Sequence, residues 1–151
     1  MKKFLAVLAA FGLALSANAA DKTYKLKLAS TWESTTPVLG DAAKEFKRVV
    51  ETLSDGRLEV RIDYPSKHKA PFGILDFVKG GQYDIGYTAS YYYKGKDANT
   101  MFFTAVPFGM TAGELRAWYE FGGGKQLEEK VYDKYNIKVF NAGDTGTQMG
   151  G

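Results

Sequence analysis

The chain has 151 residues, a formal net charge of +3, a single histidine and no cysteine. So small a charge gives no broad positive field for nucleic acid, and the lack of thiol and imidazole ligands argues against zinc or another soft metal. The high aromatic content, with ten tyrosines and ten phenylalanines, is typical of a folded domain and not of a disordered segment.

The first twenty residues have the pattern of a secretory signal peptide. Lys2 and Lys3 precede an apolar run over residues 4–15, and an A-x-A pattern follows at residues 17–19. The run of about twelve residues is shorter than the roughly 20 that a membrane span needs. We therefore predict that residues 1–20 are a signal peptide, that the mature chain is exported to the periplasm, and that its net charge is about +1.

The best-defined patterns lie in the first half of the mature chain. Residues 24–29 alternate apolar and polar side chains, which predicts a half-buried strand, and residues 58–64 repeat the alternation. Between them, apolar residues recur at steps of three and four over residues 38–53. Pro37 suits the first turn of this amphipathic helix, and the SDG sequence at residues 54–56 suits its end.

The following elements are predicted to be shorter. We expect a polar loop over residues 66–71, in which His68 is a surface residue. A short helix is predicted over residues 72–79 and a third strand over residues 83–89.

The C-terminal part continues the alternation of helices and strands. Helices are predicted over residues 112–121 and 125–135, followed by a fourth short strand over residues 137–141, whereas residues 90–103 show no clear pattern. Strands separated by helices favour parallel pairing, so the predicted fold class is α/β.

Three loops are predicted at the carboxyl ends of strands, where open α/β sheets bind their ligands. They are residues 30–33 (STWE), 90–93 (SYYY) and 145–148 (TGTQ). Hydroxyl, amide and backbone N–H groups beside aromatic rings suit a small polar organic molecule. The same aromatic residues fit a core or an interface equally well, and the sequence leaves that alternative open.

The sequence offers little support for catalysis. Asp144 begins a D-T-G-T run, the short signature of aspartic proteases, but that chemistry needs two carboxylates sharing a proton, and a second copy of the run is missing. A tight glycine turn explains the run better. Without a nucleophile–base pair, we predict that the protein is not an enzyme, and a secreted hydrolase or an Asp144-based protease is the alternative.

Four separated strings are informative, namely residues 29–32 (ASTW), 89–96 (ASYYYKGK), 103–110 (FTAVPFGM) and 147–151 (TQMGG). Together they resemble the solute-binding proteins of TRAP transporters. The similarity is greatest to the branch that binds 2-oxo acids such as pyruvate, or related monocarboxylates. The resemblance implies a type II-like periplasmic binding protein with two lobes that close on a small carboxylate. It also implies delivery of that carboxylate to the subunits of a TRAP membrane permease.

The resemblance also assigns roles along the chain. It implies that residues 21–142 form an incomplete first lobe and that residues 143–151 begin the crossover to a missing second lobe, so the sequence is expected to be truncated. The family's carboxylate-binding arginine and its metal-ligating carboxylate are expected in that missing part. The oligomeric state is left open, a homodimer included.

The resemblance further implies which side chains meet the ligand. It places Gln148 at the ligand and at a bridging cation, sodium or calcium, and it places Trp32, Tyr91 and Tyr92 near the cleft. Which carboxylate is bound, and whether a cation is used at all, is left open by the sequence.

Overall fold

The structure is a computed structural model that describes residues 22–146. The predicted signal peptide and Gln148 lie outside these described residues. The elements in chain order are β1 (Tyr24–Ser30), α1 (Leu39–Leu53), β2 (Leu58–Asp63), α2 (Pro65–His68), α3 (Ile74–Lys79), β3 (Ile85–Tyr87), two 3₁₀ helices (Ser90–Tyr93 and Ala98–Phe103), α4 (Ala112–Phe121) and α5 (Gly124–Asp133).

The three strands form a parallel sheet in the order β2-β1-β3. The middle strand pairs on both sides, so that Leu28 lies opposite Ile62 of β2 and Ile85 of β3. The carboxyl-terminal half of β1 is therefore buried, with Leu28 and Ala29 at 1% and 0% exposure. Because all three strands run the same way, the segments that follow them meet at one edge of the sheet.

Helix α1 covers part of the outer edge of β2. Lys47 pairs with Glu51 at 2.7 Å and donates a hydrogen bond to the Val60 carbonyl at 2.6 Å. The Glu51 carboxylate accepts a hydrogen bond from the Val60 N–H at 2.9 Å. An unpaired strand edge is a template for aggregation, and these two side chains occupy the outward backbone groups of one residue on it.

The residues after β2 form a helical turn where a loop was predicted. Pro65 occupies the first position of α2, and Glu33 accepts hydrogen bonds from the Ser66 N–H at 2.6 Å and the Ser66 hydroxyl at 3.1 Å. The prediction was wrong because the carboxylate that satisfies this short helix comes from the distant β1 loop.

The prediction that His68 is a surface residue was also wrong. The ring is half-buried, and it makes edge-on contacts with Phe77 and Tyr83 at centroid distances of 5.5 and 6.2 Å. Its Nε2 lies 2.9 Å from the Ser30 carbonyl oxygen, and its Nδ1 accepts a hydrogen bond from the Ala70 N–H. The two flanking lysines suggested exposure, but the ring is held by partners distant in sequence.

The fourth predicted strand is absent from the described residues, since residues 137–146 pair with no strand. The alternation there has a different cause. Ile137 and Val139 pack against a buried cluster that contains Tyr132 of α5, and Lys138 reaches Glu129 at 3.6 Å. Between residues 22 and 146, no helix has the length and apolar character that crossing a bilayer requires.

Candidate functional site

The carboxyl ends of β1 and β3 bring two of the three predicted loops together. The Thr31 N–H donates a hydrogen bond to the Tyr87 carbonyl at 2.9 Å, which extends the pairing of the two strands by one residue. Trp32 follows directly, and its ring lies edge-on to the Tyr87 ring with the centroids 5.0 Å apart. The indole ring of Trp32, at the end of β1, therefore lies beside the end of β3.

The rings at this edge form one continuous surface, which we call the aromatic wall: Trp32, Phe72, Tyr87, Tyr91 and Tyr92. Tyr92 is its centre, with ring centroids 6.4 Å from Trp32, 4.9 Å from Phe72 and 4.5 Å from Tyr91. Phe72 is 60% exposed and Tyr91 is 38% exposed, so these rings of the wall meet solvent, whereas Tyr92 also packs against the buried cluster of Leu75, Tyr93 and Tyr132.

Three of the four predicted ligand-binding residues therefore lie in one cluster, namely Trp32, Tyr91 and Tyr92. The fourth, Gln148, lies outside the described residues. The binding role of all four, and of Gln148 as a metal ligand, stays a prediction.

The wall borders an open groove of about 700 Å³. Its lining is mostly apolar and comes from the wall, from the second 3₁₀ helix and from the loop after it: Phe72, Tyr91, Tyr92, Lys94, Met101, Phe102, Ala105, Val106 and Pro107. Lys94 is a cation in this lining. An apolar groove with few polar groups is the common form of a small-molecule site, and a lysine there favours an anion.

Two phenol hydroxyls of the wall lie side by side, with Tyr91 Oη and Tyr92 Oη 3.3 Å apart. Burial, the hydrogen bond to Tyr92 and the neighbouring phenol raise the pKa of Tyr91 to about 12. Tyr91 therefore keeps its proton at ordinary pH and directs it to Tyr92 Oη, which leaves the hydroxyl proton of Tyr92 to be donated to an oxygen of a ligand.

Side chains behind the wall hold its loops in place. The Ser30 carbonyl contacts His68, Glu33 accepts hydrogen bonds from Ser66, and the Thr31 hydroxyl reaches the Pro71 carbonyl at 2.9 Å. All three contacts join the β1 loop to the segment around α2. Sequence reasoning missed them, because no local pattern marks a contact between residues more than thirty positions apart.

Beside this region, the buried carboxylate of Asp63 closes the end of β2. It contacts Arg61 at 3.2 Å, Lys67 at 2.8 Å and the Tyr83 hydroxyl at 3.1 Å. Burial is the largest single effect and raises the pKa of Asp63, but the hydrogen bonds from Lys67 and Tyr83 and the charges of Arg61 and Lys67 together lower it below its ordinary value.

Asp144 lies in an exposed turn, where its Oδ1 accepts a hydrogen bond from the Gly146 N–H at 2.8 Å. This arrangement is the tight glycine turn that the sequence favoured. Within residues 22–146 no group of three or more histidine, aspartate and glutamate side chains is placed to hold a metal ion.

A parallel sheet whose carboxyl edge carries exposed aromatic rings beside an open groove is an arrangement in which α/β proteins commonly bind ligands. Residues 28–150 match the family described as bacterial extracellular solute-binding protein, family 7. The chain belongs to this family, and its resemblance to TRAP solute-binding proteins is thereby confirmed. Membership of a solute-binding family gives the alternative of a secreted hydrolase or an Asp144-based protease no support.

Three similar proteins carry more specific descriptions. The chain is 35% identical over 125 residues, 83% of this chain and 34% of the relative, to a monocarboxylate 2-oxoacid-binding periplasmic protein of Nostoc sp. PCC 7120. A TRAP periplasmic solute-binding protein of Colwellia psychrerythraea, solved with calcium and pyruvate, is 55% identical with a TM-score of 0.77 over 79% of this chain and 36% of that one.

The third is a TRAP periplasmic solute-binding protein of Pseudoalteromonas atlantica, solved with sodium and pyruvate. It is 56% identical with a TM-score of 0.74 over 76% of this chain and 35% of that chain. The α/β fold class of a periplasmic binding protein lobe is confirmed by these structures. The chain spans about a third of the length of the relatives that it matches.

Proposed function

We propose that this chain is part of a periplasmic receptor that binds a small 2-oxo acid such as pyruvate, or a related monocarboxylate, and delivers it to a TRAP-type membrane permease. The observation that carries the proposal is the gathering of Trp32, Tyr91 and Tyr92 at the carboxyl edge of the sheet. The pyruvate bound by two relatives at 55% and 56% identity supports the choice of ligand.

The chemistry of the wall suits such a ligand. A 2-oxo acid has a short apolar chain attached to a keto group, which is followed directly by a carboxylate. The ring faces supply a flat apolar contact, the hydrogen-bonded hydroxyl pair of Tyr91 and Tyr92 supplies one free donor, and Lys94 supplies a positive charge in the groove. A receptor of this kind binds its ligand and releases it unchanged, so the proposal includes no chemical step.

A cation is a second part of the proposal. Calcium and sodium accompany pyruvate in the two relatives, and hard cations prefer oxygen ligands. We assign the amide oxygen of Gln148 as one ligand of such an ion, with the remaining ligands supplied by the part of the protein that its longer relatives also have. Residues 1–20 serve as the export signal in this proposal and are removed in the periplasm.

The direct test is calorimetric titration of the protein expressed from its complete gene with pyruvate, longer 2-oxo acids, lactate and succinate. We expect saturable binding of at least one 2-oxo acid, without conversion of the ligand. Chelation of divalent cations, followed by return of calcium or sodium, tests the ion separately. Failure to bind any of the monocarboxylates would refute the proposal. Consumption of a ligand that was lost in Asp144→Ala would support the enzyme alternative instead.

The two tryptophans provide a matched pair of variants. Trp32 lies in the wall, whereas Trp118 stacks on Phe103 at a centroid distance of 6.2 Å, in a different part of the chain. We expect Trp32→Phe to reduce the fluorescence change on ligand addition and to weaken binding, and Trp118→Phe to leave both nearly unchanged. Equal effects of the two substitutions would contradict the assignment of the wall as the binding surface.

A further inference from the structure

A chain of hydrogen bonds runs directly beneath the aromatic wall. The Tyr93 hydroxyl lies 3.0 Å from Thr88 Oγ1, which lies 2.8 Å from Thr31 Oγ1. Thr31 Oγ1 in turn lies 2.9 Å from the Pro71 carbonyl oxygen. Tyr93 is 1% exposed and Thr31 is 7% exposed, so water competes little for their hydroxyls, and Thr88 between them is half-buried.

The donor-to-acceptor direction of this hydrogen-bond chain follows from its last member, the Pro71 carbonyl. A carbonyl oxygen only accepts, so the single proton of the Thr31 hydroxyl points to Pro71. Thr88 must then donate to Thr31, and Tyr93 must donate to Thr88. Thr88 is the central link, since it both donates and accepts. Burial raises the pKa of Tyr93 to about 12, so the donor that starts the chain is present throughout the ordinary pH range.

Each residue of the hydrogen-bond chain is adjacent in sequence to a residue whose ring belongs to the aromatic wall. Thr31 precedes Trp32, Thr88 follows Tyr87, Tyr93 follows Tyr92 and Pro71 precedes Phe72. The hydrogen-bond chain therefore joins three separate segments of the backbone, around Thr31, around Pro71 and from Thr88 to Tyr93, at the points where each segment presents an aromatic ring. A site held together by such supporting contacts binds its ligand with less loss of entropy than one whose loops must first be ordered.

We propose that Thr88 is a positioning residue for ligand binding, which acts by fixing the Trp32 loop against the Tyr91–Tyr92 turn without touching the ligand. This inference rests on the proposed receptor function and goes beyond it, because it names a residue outside the wall that sets the affinity.

The test compares variants of the protein expressed from its complete gene, all in a background in which every tryptophan other than Trp32, Trp118 included, is replaced by phenylalanine so that Trp32 is the reporter. Thr88→Val keeps the shape of the side chain and removes the hydroxyl, and Thr88→Ser restores it. The matched control is Thr100→Val, because the Thr100 hydroxyl is also internal, at 0% exposure against a half-buried Thr88, but bonds the nearby Asp97 carbonyl at 2.7 Å and not a residue of the wall loops.

We expect Thr88→Val to raise the Kd for pyruvate by about three- to tenfold, as the loss of a net hydrogen bond predicts. We also expect the Trp32 emission to shift to longer wavelength, because the loosened loop admits water. Thr88→Ser should return both values close to those of the parent. Thr100→Val should lower stability without changing either. Tyr93→Phe, which removes the first donor, should shift both in the same direction as Thr88→Val and provides a second variant if the latter folds poorly.

The inference is overturned if Thr88→Val leaves the Kd and the Trp32 emission unchanged, or if Thr100→Val changes both as much as Thr88→Val does. If the parent protein bound pyruvate and Thr88→Val had no effect, only the positioning role would fail. If the parent bound no 2-oxo acid, the proposed function would fail, and the Trp32 emission of Thr88→Val compared with Thr100→Val would still decide whether Thr88 positions the wall.

Discussion

Glu128 of α5 is a buried carboxyl group, and its replacement by glutamine should stabilise the protein at neutral pH. Its residue is 6% exposed. Burial raises the pKa of Glu128, and the nearby Tyr119 hydroxyl lowers it only in part. That hydroxyl meets no partner with good hydrogen-bond geometry, so the ionised carboxylate has poor compensation for the water that it loses.

The sign of the effect follows from proton linkage. Because the folded state raises the pKa of Glu128, the folded protein holds this proton more tightly than the unfolded chain does. The corresponding stability is fully present below the unfolded pKa and is lost as the pH rises through the folded pKa. One carboxyl binds at most one proton, so the loss has a slope of at most about 1.4 kcal/mol per pH unit.

The Glu128→Gln variant has no proton to lose and should lack this slope. Its free energy of unfolding should match that of the parent near pH 4 and exceed it at pH 7. A buried charged group with an imperfect partner costs about 1–3 kcal/mol, and we expect a gain of that size. Urea denaturation followed by circular dichroism between pH 4 and pH 8 measures both values.

The control is Glu114→Gln, the same chemical change at an exposed carboxylate of α4. Hydrogen bonds from the backbone and side chain of Thr111 lower the pKa of Glu114, so this variant should lose stability at neutral pH. A Glu128→Gln variant that was less stable than the parent at pH 7, or equally stable at every pH, would refute the argument from burial.

Three further substitutions test the local structure by the same denaturation assay. Thr111→Ala removes a capping box in which Glu114 is the partner and should cost about 1 kcal/mol; no loss would contradict the cap. Gly86→Ala places a Cβ 2.6 Å from Ile74 Cγ2 and should cost about 1–3 kcal/mol, whereas a neutral result would mean looser packing of α3 on β3. Asp63→Asn should cost about 1–3 kcal/mol at pH 7, and the difference should vanish as the pH falls through the lowered pKa of Asp63; a constant difference at all pH values would contradict the ion-pair account.

The elements with a clear hydrophobic periodicity, α1, β1 and β2, were predicted from the sequence. The steps of three and four behind Pro37 predicted α1 to within one or two residues, and the alternation over residues 24–29 and 58–64 predicted β1 and β2. The gathering of Trp32 with Tyr92 was also predictable, because parallel strands end at a common edge.

The remaining features depend on contacts between residues far apart in the chain. Residues 137–141 alternate like a strand, but they face the buried cluster around Tyr132 and have no neighbouring strand to pair with among the described residues. His68 has lysines on both sides, yet its ring packs inward. The link from Thr31 to Thr88 joins two residues 57 positions apart, and nothing local in either segment indicates it.

The most direct test of the account is a crystal structure of the protein expressed from its complete gene with pyruvate bound. We predict that the indole of Trp32 and at least one of the Tyr91 and Tyr92 side chains contact the ligand, with Gln148 nearby at a cation. Pyruvate bound elsewhere, with the aromatic wall facing open solvent, would contradict it.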